Sequence, residues 1–244
     1  MSSTVLYMSM SLDGFITGPN PTPENGLGDG GMRLHQWVFP GGGDDLDAAV
    51  ARLHGVNRRI YDEFMSTGAV LAGRPTFEPA GGWGGDHHDG VPIYVLSRRP
   101  PPAWAAGWPA VHYMSDLEAA VRDAKAAAGD RNVLVHGANL AQRALVAGLL
   151  DELEIHLVPV LLGDGRRLFE HLGTEQRELE RLRVLEGEGG VTHLRYRVRR
   201  PADDQAWRLR SRPGRTTALL PARRRRGGGL LRGRSNPPTS GDSR

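Results

Sequence analysis

Hydrophobic and polar positions along the chain switch repeatedly between two periods. Thr4–Ser11 alternates and predicts a strand. Leu46, Val50, Leu53, Ile60 and Phe64 recur at roughly helical spacing and predict one helix over Leu46–Ser66. Ala69–Ala72, ending at Gly73, and Pro92–Ser97 are short apolar runs of strand length. Ser115-Asp-Leu-Glu118 reads as a capping box that opens an alanine-rich helix stopping at Gly129. Asn132–His136 is a further strand, and Asn139 is placed to cap a helix reaching Gly148. Leu153–Leu162 is a long apolar strand. Glu178–Glu186 and Val191–Arg199 form a closing hairpin turned at Gly187–Gly190. Alternating strands and helices followed by a hairpin predict an α/β domain, its sheet mainly parallel with antiparallel pairing at the C-terminal end.

Charge changes this picture at one end. Residues 201–244 hold 11 arginines and three acids, whereas residues 1–200 hold 20 basic and 25 acidic side chains. The C-terminal stretch is rich in Gly and Pro and has no sustained period, so it is expected to be a disordered, solvated tail. Its arginines could touch nucleic-acid phosphates, but Trp207 is its single aromatic residue and stacking partners are scarce. The chain thus divides into a domain at 1–200 and a tail at 201–244. The chain lacks cysteine, which excludes disulfides and thiolate chemistry. No apolar run approaches the ~18 residues of a membrane span, and the N-terminus has no leader pattern, so a cytoplasmic protein without membrane contact is expected.

In open α/β sheets, ligands gather at the carboxyl ends of strands. The glycines and cations fall there in this chain: Ser11-Leu-Asp-Gly-Phe-Ile-Thr-Gly18, Gly73-Arg-Pro-Thr76, Ser97-Arg98-Arg99 and His136-Gly137-Ala138-Asn139. Two of these segments are strand-to-helix turns whose free N–H groups suit an anion. Arg74 adds a bidentate phosphate partner, and a hydroxyl beside two guanidiniums suits a terminal phosphomonoester such as the adenosine 2′-phosphate of NADPH. Asp86-His87-His88-Asp89 lies among glycines without further ligands at helical spacing and is not expected to hold a metal. Asp44-Asp45-Leu-Asp47 reads as an acidic helix N-terminus.

These segments, together with Gly68–Glu78, Pro92–Pro100, Val133–Gln142 and Leu149–Phe169, occur in the order that makes the chain resemble the dihydrofolate reductase-like family. The branch is the one typified by the C-terminal reductase domain of the bifunctional riboflavin-biosynthesis deaminase/reductase. The resemblance covers residues 3–199. It implies a single domain with a mixed, mostly parallel eight-stranded sheet flanked by helices, which binds NADPH and passes a hydride to a small heterocyclic or sugar-imine substrate. The closest such activity is reduction of 5-amino-6-(5-phosphoribosylamino)uracil. By the same resemblance, Gly73, Arg74 and Thr76 hold cofactor phosphates, and Ser97 and Arg98 face the 2′-phosphate. His136, Gly137, Ala138, Asn139 and Leu140 line the pyrophosphate, and Ile16 and Gly18 border the nicotinamide. Asp13 and Asp62 are the candidate catalytic carboxylates; Ser11 and Trp37 are the candidate substrate contacts, with Trp37 stacking on a planar ring. The family commonly dimerises, so a homodimer is expected. A non-catalytic NADPH-binding or redox-sensing module of the same fold is the alternative. Dihydrofolate reductases place one acidic residue on the first helix to bind the pterin; this chain departs from that pattern with a long Gly/Pro-rich insertion at 18–45.

Overall fold

The computed structural model describes residues 2–22, 24–40 and 46–200. The tail and the acidic pair Asp44-Asp45 lie outside the described residues. In chain order the elements are β1 (Thr4–Ser11), β2 (Phe15–Thr17), α1 (Leu46–Ala51), α2 (Gly55–Met65), β3 (Ala69–Gly73), α3 (Arg74–Phe77), β4 (Ile93–Leu96) and β5 (Val111–Met114). They continue with α4 (Leu117–Ala128), β6 (Val133–His136), α5 (Ala138–Val146), β7 (Glu152–Val158), β8 (Arg166–Arg167), β9 (Leu179–Glu186) and β10 (Thr192–Val198).

Eight strands form one sheet in the order β5-β4-β3-β6-β1-β7-β10-β9, and β2 pairs with β8 beside it. The six strands from β5 to β7 run parallel, and β10 and β9 close the sheet antiparallel. This is the mixed, mostly parallel eight-stranded sheet that the resemblance implied. Parallel neighbours need crossovers, and the crossovers leave apolar helices on both faces. Accordingly β3 and β4 are buried at every position. On one face Leu6, Leu71 and Val135 pack against Val121 and Ala124 of α4 and Leu140 and Ala144 of α5. On the other, Val5, Val70, Leu134 and Phe77 form a second core, with Phe64 of α2 packed against it.

Four local readings need correction. The helix expected over Leu46–Ser66 is broken into α1 and α2, because His54 is extended and Gly55 adopts φ +56. The Glu188 carboxylate then accepts the Val56 and Asn57 N–H groups, capping α2 from a distant loop. The cap of α4 is Asp116, whose side chain accepts from Ala119 N at 2.7 Å, rather than Ser115. Gly137, not Asn139, precedes α5; its φ of +94 turns the chain into the helix, and Asn139 lies inside the first turn. The long strand expected over Leu153–Leu162 ends at Val158, before Pro159. The short edge strand β5 and the β2–β8 pair carry too few residues for a periodic signal. No helix among the described residues is long and apolar enough to cross a membrane.

Candidate functional site

The strand order sets the carboxyl ends of β4, β3, β6, β1 and β7 in a row along one edge of the sheet. A cavity lies at each end of that row. The first, about 420 Å³, is lined by Arg74, Ser97, Arg98, Arg99, Ser115 and Arg143, with Leu96 behind them. Each element contributes by its position: Ser97 and both following arginines by leaving β4, Arg74 by opening α3, Ser115 by preceding α4, and Arg143 from the second turn of α5. The Ser97 hydroxyl donates to Arg99 O at 2.8 Å and accepts Arg99 N at 3.1 Å, which fixes the turn. Arg74 is braced: its guanidinium pairs with Glu78 at 2.7 Å and donates to Pro100 O at 2.7 Å. Among the described residues no carboxylate pairs with Arg98, Arg99 or Arg143. Three guanidiniums without a carboxylate partner, with the Ser115 hydroxyl beside them, give this cavity a chemistry that suits a multiply charged oxyanion.

The middle of the row is formed by the turns after β3 and β6. They touch each other: a Cβ built at Gly137 would lie 2.1 Å from Thr76 Oγ1, and its φ is +94, so glycine is required there. Gly73 is under no such demand, since a Cβ there meets only Pro75 and Leu140 at 3.6 and 3.8 Å. The first-turn N–H groups of α5 have no side-chain cap. Asn139 is exposed in that turn, whereas Ala138 and Leu140 are buried beneath it. The His136 ring turns away into an aromatic group with Phe64, Trp83 and His87, at 5.6, 5.9 and 5.6 Å between centroids. Burial lowers its pKa to about 4, so it is neutral at pH 7. His87 and His88 hydrogen-bond to each other through Nδ1 at 2.8 Å, and His88 Nε2 meets Thr67 O at 3.0 Å.

The loop after β1 is fastened rather than reactive. Ser11 is fully buried; its hydroxyl donates to Asp13 Oδ1 at 2.6 Å and accepts Phe15 N at 2.9 Å. The Asp13 carboxylate also accepts Leu162 N and Gly163 N. The Ser11 hydroxyl, followed by these N–H groups, holds its pKa at about 2, and with its oxygens engaged in the turn Asp13 does not suit the catalytic role expected of it. Ser11, likewise, is a strut of the turn and has no surface to offer a substrate. Arg167 lies over the Phe15 ring at 4.3 Å and donates to Asp13 O, tying β8 to the same loop. Ile16 is buried, and Gly18 packs so closely on the Asp29 carbonyl that a Cβ would lie 1.8 Å from it. Asp62 is on the solvent face of α2 in an ion pair with Arg58 at 2.8 Å, its side chain 54% exposed. It lines neither cavity, and the catalytic role expected of it has no support in its position.

The second cavity, about 590 Å³, opens at the end of β7 against Val158. Its walls come from the 18–45 insertion (Arg33, Gln36, Trp37, Pro40), from α1–α2 (Arg52, Leu53, His54, Asn57) and from the β9–β10 turn (Glu188, Gly189, Val191). Trp37 lines this cavity but is only 8% exposed. Its Nε1–H donates to Ser9 Oγ at 2.9 Å, and its ring packs on His156 and His193 at 4.5 and 4.8 Å. Sequence reasoning singled out Trp37 but not Arg33, Arg52, Asn57 or Glu188, which lie far apart in the chain and share no motif. Arg143 was legible in principle, one helical turn beyond Asn139 on the exposed side of α5.

A mostly parallel, doubly covered sheet with its loops and cavities along the carboxyl edge defines an α/β domain of the ligand-binding, open-sheet class. The chain belongs to the RibD C-terminal domain family, whose model matches residues 3–192. No protein of curated function matches it significantly in sequence. Among solved structures, a protein of Shewanella sp. PV-4 named for riboflavin biosynthesis shares 22% identity at a TM-score of 0.58, over 81% of this chain and 99% of the other. A pyrimidine reductase-like protein of Corynebacterium diphtheriae shares 15% identity at 0.54, over 82% and 92%. RibD of Acinetobacter baumannii shares 19% at 0.53; this chain matches 82% of its own length and 59% of that longer protein. At these identities the structures establish a common fold. The family supports a reductase-like role connected with riboflavin biosynthesis.

Proposed function

We propose that the protein is an NADPH-dependent reductase that passes a hydride to a small heterocyclic or sugar-imine substrate, 5-amino-6-(5-phosphoribosylamino)uracil being the nearest candidate. The observation that carries this reading is the pair of cavities on one sheet edge. The ends of β4 and β7 are four strand spacings apart, about 19 Å at roughly 4.8 Å each. An extended dinucleotide bridges such a row. The donor set fits its charged end: Ser97, Arg98, Arg99, Ser115 and Arg143 would take the 2′-phosphate, with Arg74 as a braced wall. The turn residues Gly73 and Thr76 and the backbone of His136–Leu140 would take the remaining phosphates. Ile16 and Gly18 would border the nicotinamide, which supplies the hydride when bound. Trp37 would offer its ring edge to the substrate, and Arg33 and Arg52 would compensate an anionic group in the second cavity. The protein's own contribution is then orientation and exclusion of water. The same reading takes the protein as a cytoplasmic homodimer joined through β9, an edge strand with exposed Leu182 and Val184, and gives the tail no part in nucleic-acid binding.

One observation favours a second reading, a non-catalytic NADPH-binding module: Asp13 and Asp62 are engaged elsewhere, and Glu188 gives both carboxylate oxygens to α2. Absorbance at 340 nm separates the two. Steady NADPH oxidation on adding the aminouracil ribotide is the expected outcome. Tight NADPH binding without turnover on this compound and related imines would select the module.

A further inference from the structure

The wall and floor of the second cavity are joined by a chain of buried hydrogen bonds whose donors are fixed by its ends. Both Asn57 and His193 are essentially inaccessible, at 4% and 0% exposure. Asn57 Nδ2 donates to two carbonyls, Trp37 O at 3.2 Å and Glu188 O at 3.1 Å. Its amide orientation follows, because a carbonyl oxygen in that place would face two others. Asn57 Oδ1 therefore faces His193 Nε2, at 3.0 Å, and that nitrogen must carry a proton. If His193 is neutral, its Nδ1 is bare and accepts from His156 Nδ1–H, at 2.9 Å. Both imidazoles lie against the Trp37 ring. The site is packed to contact: a Cβ at Gly187 would lie 2.2 Å from Asn57 Oδ1 and 2.6 Å from His193 Nε2.

We infer that His156 and His193 are positioning residues of this cavity, which hold Trp37 and Asn57 in place so long as at least one of the two rings is neutral. A single added proton is accommodated, because the ring that stays neutral can present a bare Nδ1 to the other's N–H; a second proton puts two N–H groups face to face at 2.9 Å, with no acceptor between them. The pair must then open. What moves with it is the Trp37 floor, Asn57 and, through Glu188, the first turn of α2. The charges around the pair come from every neighbouring element: Arg183 from β9, Glu188 from the β9–β10 turn, Glu63 from α2, His136 from β6 and His35 from the insertion. Glu154 and Arg195 flank it on β7 and β10, and the Tyr7 ring of β1 lies 6.4 Å from His156. Burial is the largest influence on both histidines and opposes charge; Arg183 acts in the same direction, and Glu188 and Glu63 oppose it only at His193. Protonation accordingly belongs to acidic solution, below the ordinary histidine range.

The inference rests on the second cavity being the substrate pocket only for its kinetic consequence, so the primary test does not use activity. Long-range ¹H–¹⁵N correlation spectra of the full chain report the tautomer of each histidine. At pH 7, His156 is expected as the Nδ1–H tautomer and His193 as the Nε2–H tautomer, both remaining neutral to below pH 5. The opposite tautomer at His193, or ordinary titration of either ring near 6.5, would overturn the proposal. The variant Asn57→Asp preserves size and places a carboxylate oxygen on His193 Nε2–H, while giving up the two Nδ2–H bonds to Trp37 O and Glu188 O. It should move the His193 titration up by about one pH unit or more, since an adjacent charge favours the imidazolium. No movement would contradict the contact. If the protein reduces a substrate, KM should keep its pH 7 value to pH 5 and rise by about tenfold or more as the pair protonates below that, with little change in kcat, and this rise should begin at higher pH in Asn57→Asp; a KM unchanged through the pH at which the spectra show both rings protonated would contradict positioning. Should no substrate turn over, the spectra still decide the inference, and the reductase reading fails separately.

Discussion

The two cavities are built in opposite ways. The arginine-lined one is local: Ser97, Arg98 and Arg99 are consecutive, Arg74 opens a short helix, and the turn at Ser97 is closed by its own hydroxyl. Arg98, Arg99 and Arg143 are exposed to solvent, and Arg74 alone among its cations is held in an ion pair. The Trp37 cavity is assembled from three distant segments, and its hydrogen bonds join residues 28 to 136 positions apart. There the binding surface and the folded structure are the same groups. A ligand site of the first kind can be altered without disturbing stability, whereas one of the second kind cannot.

That contrast can be broken most sharply at the arginines. Replacing Arg98 and Arg143 together by alanine should weaken NADPH binding by about 100-fold or more, since charge-assisted hydrogen bonds contribute roughly 1.5–3 kcal/mol each. NADH affinity and Tm should stay within error. A large fall in Tm would show that the arginine cavity is structural too.

At the Trp37 end, acid is the stronger probe. His193 is held at about 4 by burial, and His156 is held well below its ordinary value for the same reason. A depressed pKa means that the unfolded chain takes up protons first as pH falls, so the stability contributed by the neutral rings is complete above pH 6.5 and is lost toward pH 4. His136, also lowered to about 4, adds in the same direction. The loss is on the order of 3 kcal/mol for a ring as buried as His193. Thermal melts from pH 7 to pH 4 should show Tm falling across that window; a flat profile would count against the buried neutral pair.

The smallest effect is expected at the rim. Glu188→Ala removes the acceptor of the Val56 and Asn57 N–H groups, which is a helix cap supplied from another element. Such caps contribute about 0.5–2 kcal/mol. Chemical denaturation should show that loss, with NADPH affinity unaffected.

The same division explains what could be read in the sequence. Strand and helix periods reach their turns within a few residues, so β1, β3, β4, β6 and the β9–β10 hairpin were legible, and with them the row of strand ends. Short-range turn chemistry also marked Arg74, Ser97 and Arg98 as cavity residues. The break at His54–Gly55 was not legible, because the group that stabilises it, Glu188, is more than 130 positions away. Nor was the fate of the acids: an Asp at a strand end looks the same whether it is free or, like Asp13, already held by Ser11, Leu162 and Gly163. Asn57, His156 and His193 carry no motif, and only the β7–β10 pairing, which sets His156 opposite His193, brings the histidines together.

The central claim is that the arginine end of the sheet edge receives the 2′-phosphate of NADPH. Equilibrium titration of the full chain with NADPH and with NADH, followed by nicotinamide fluorescence, tests it most directly. The account predicts that NADPH binds at least about tenfold more tightly, consistent with one or more charge-assisted bonds to a phosphate that NADH lacks. Equal affinity for the two, or no binding of either, would contradict it.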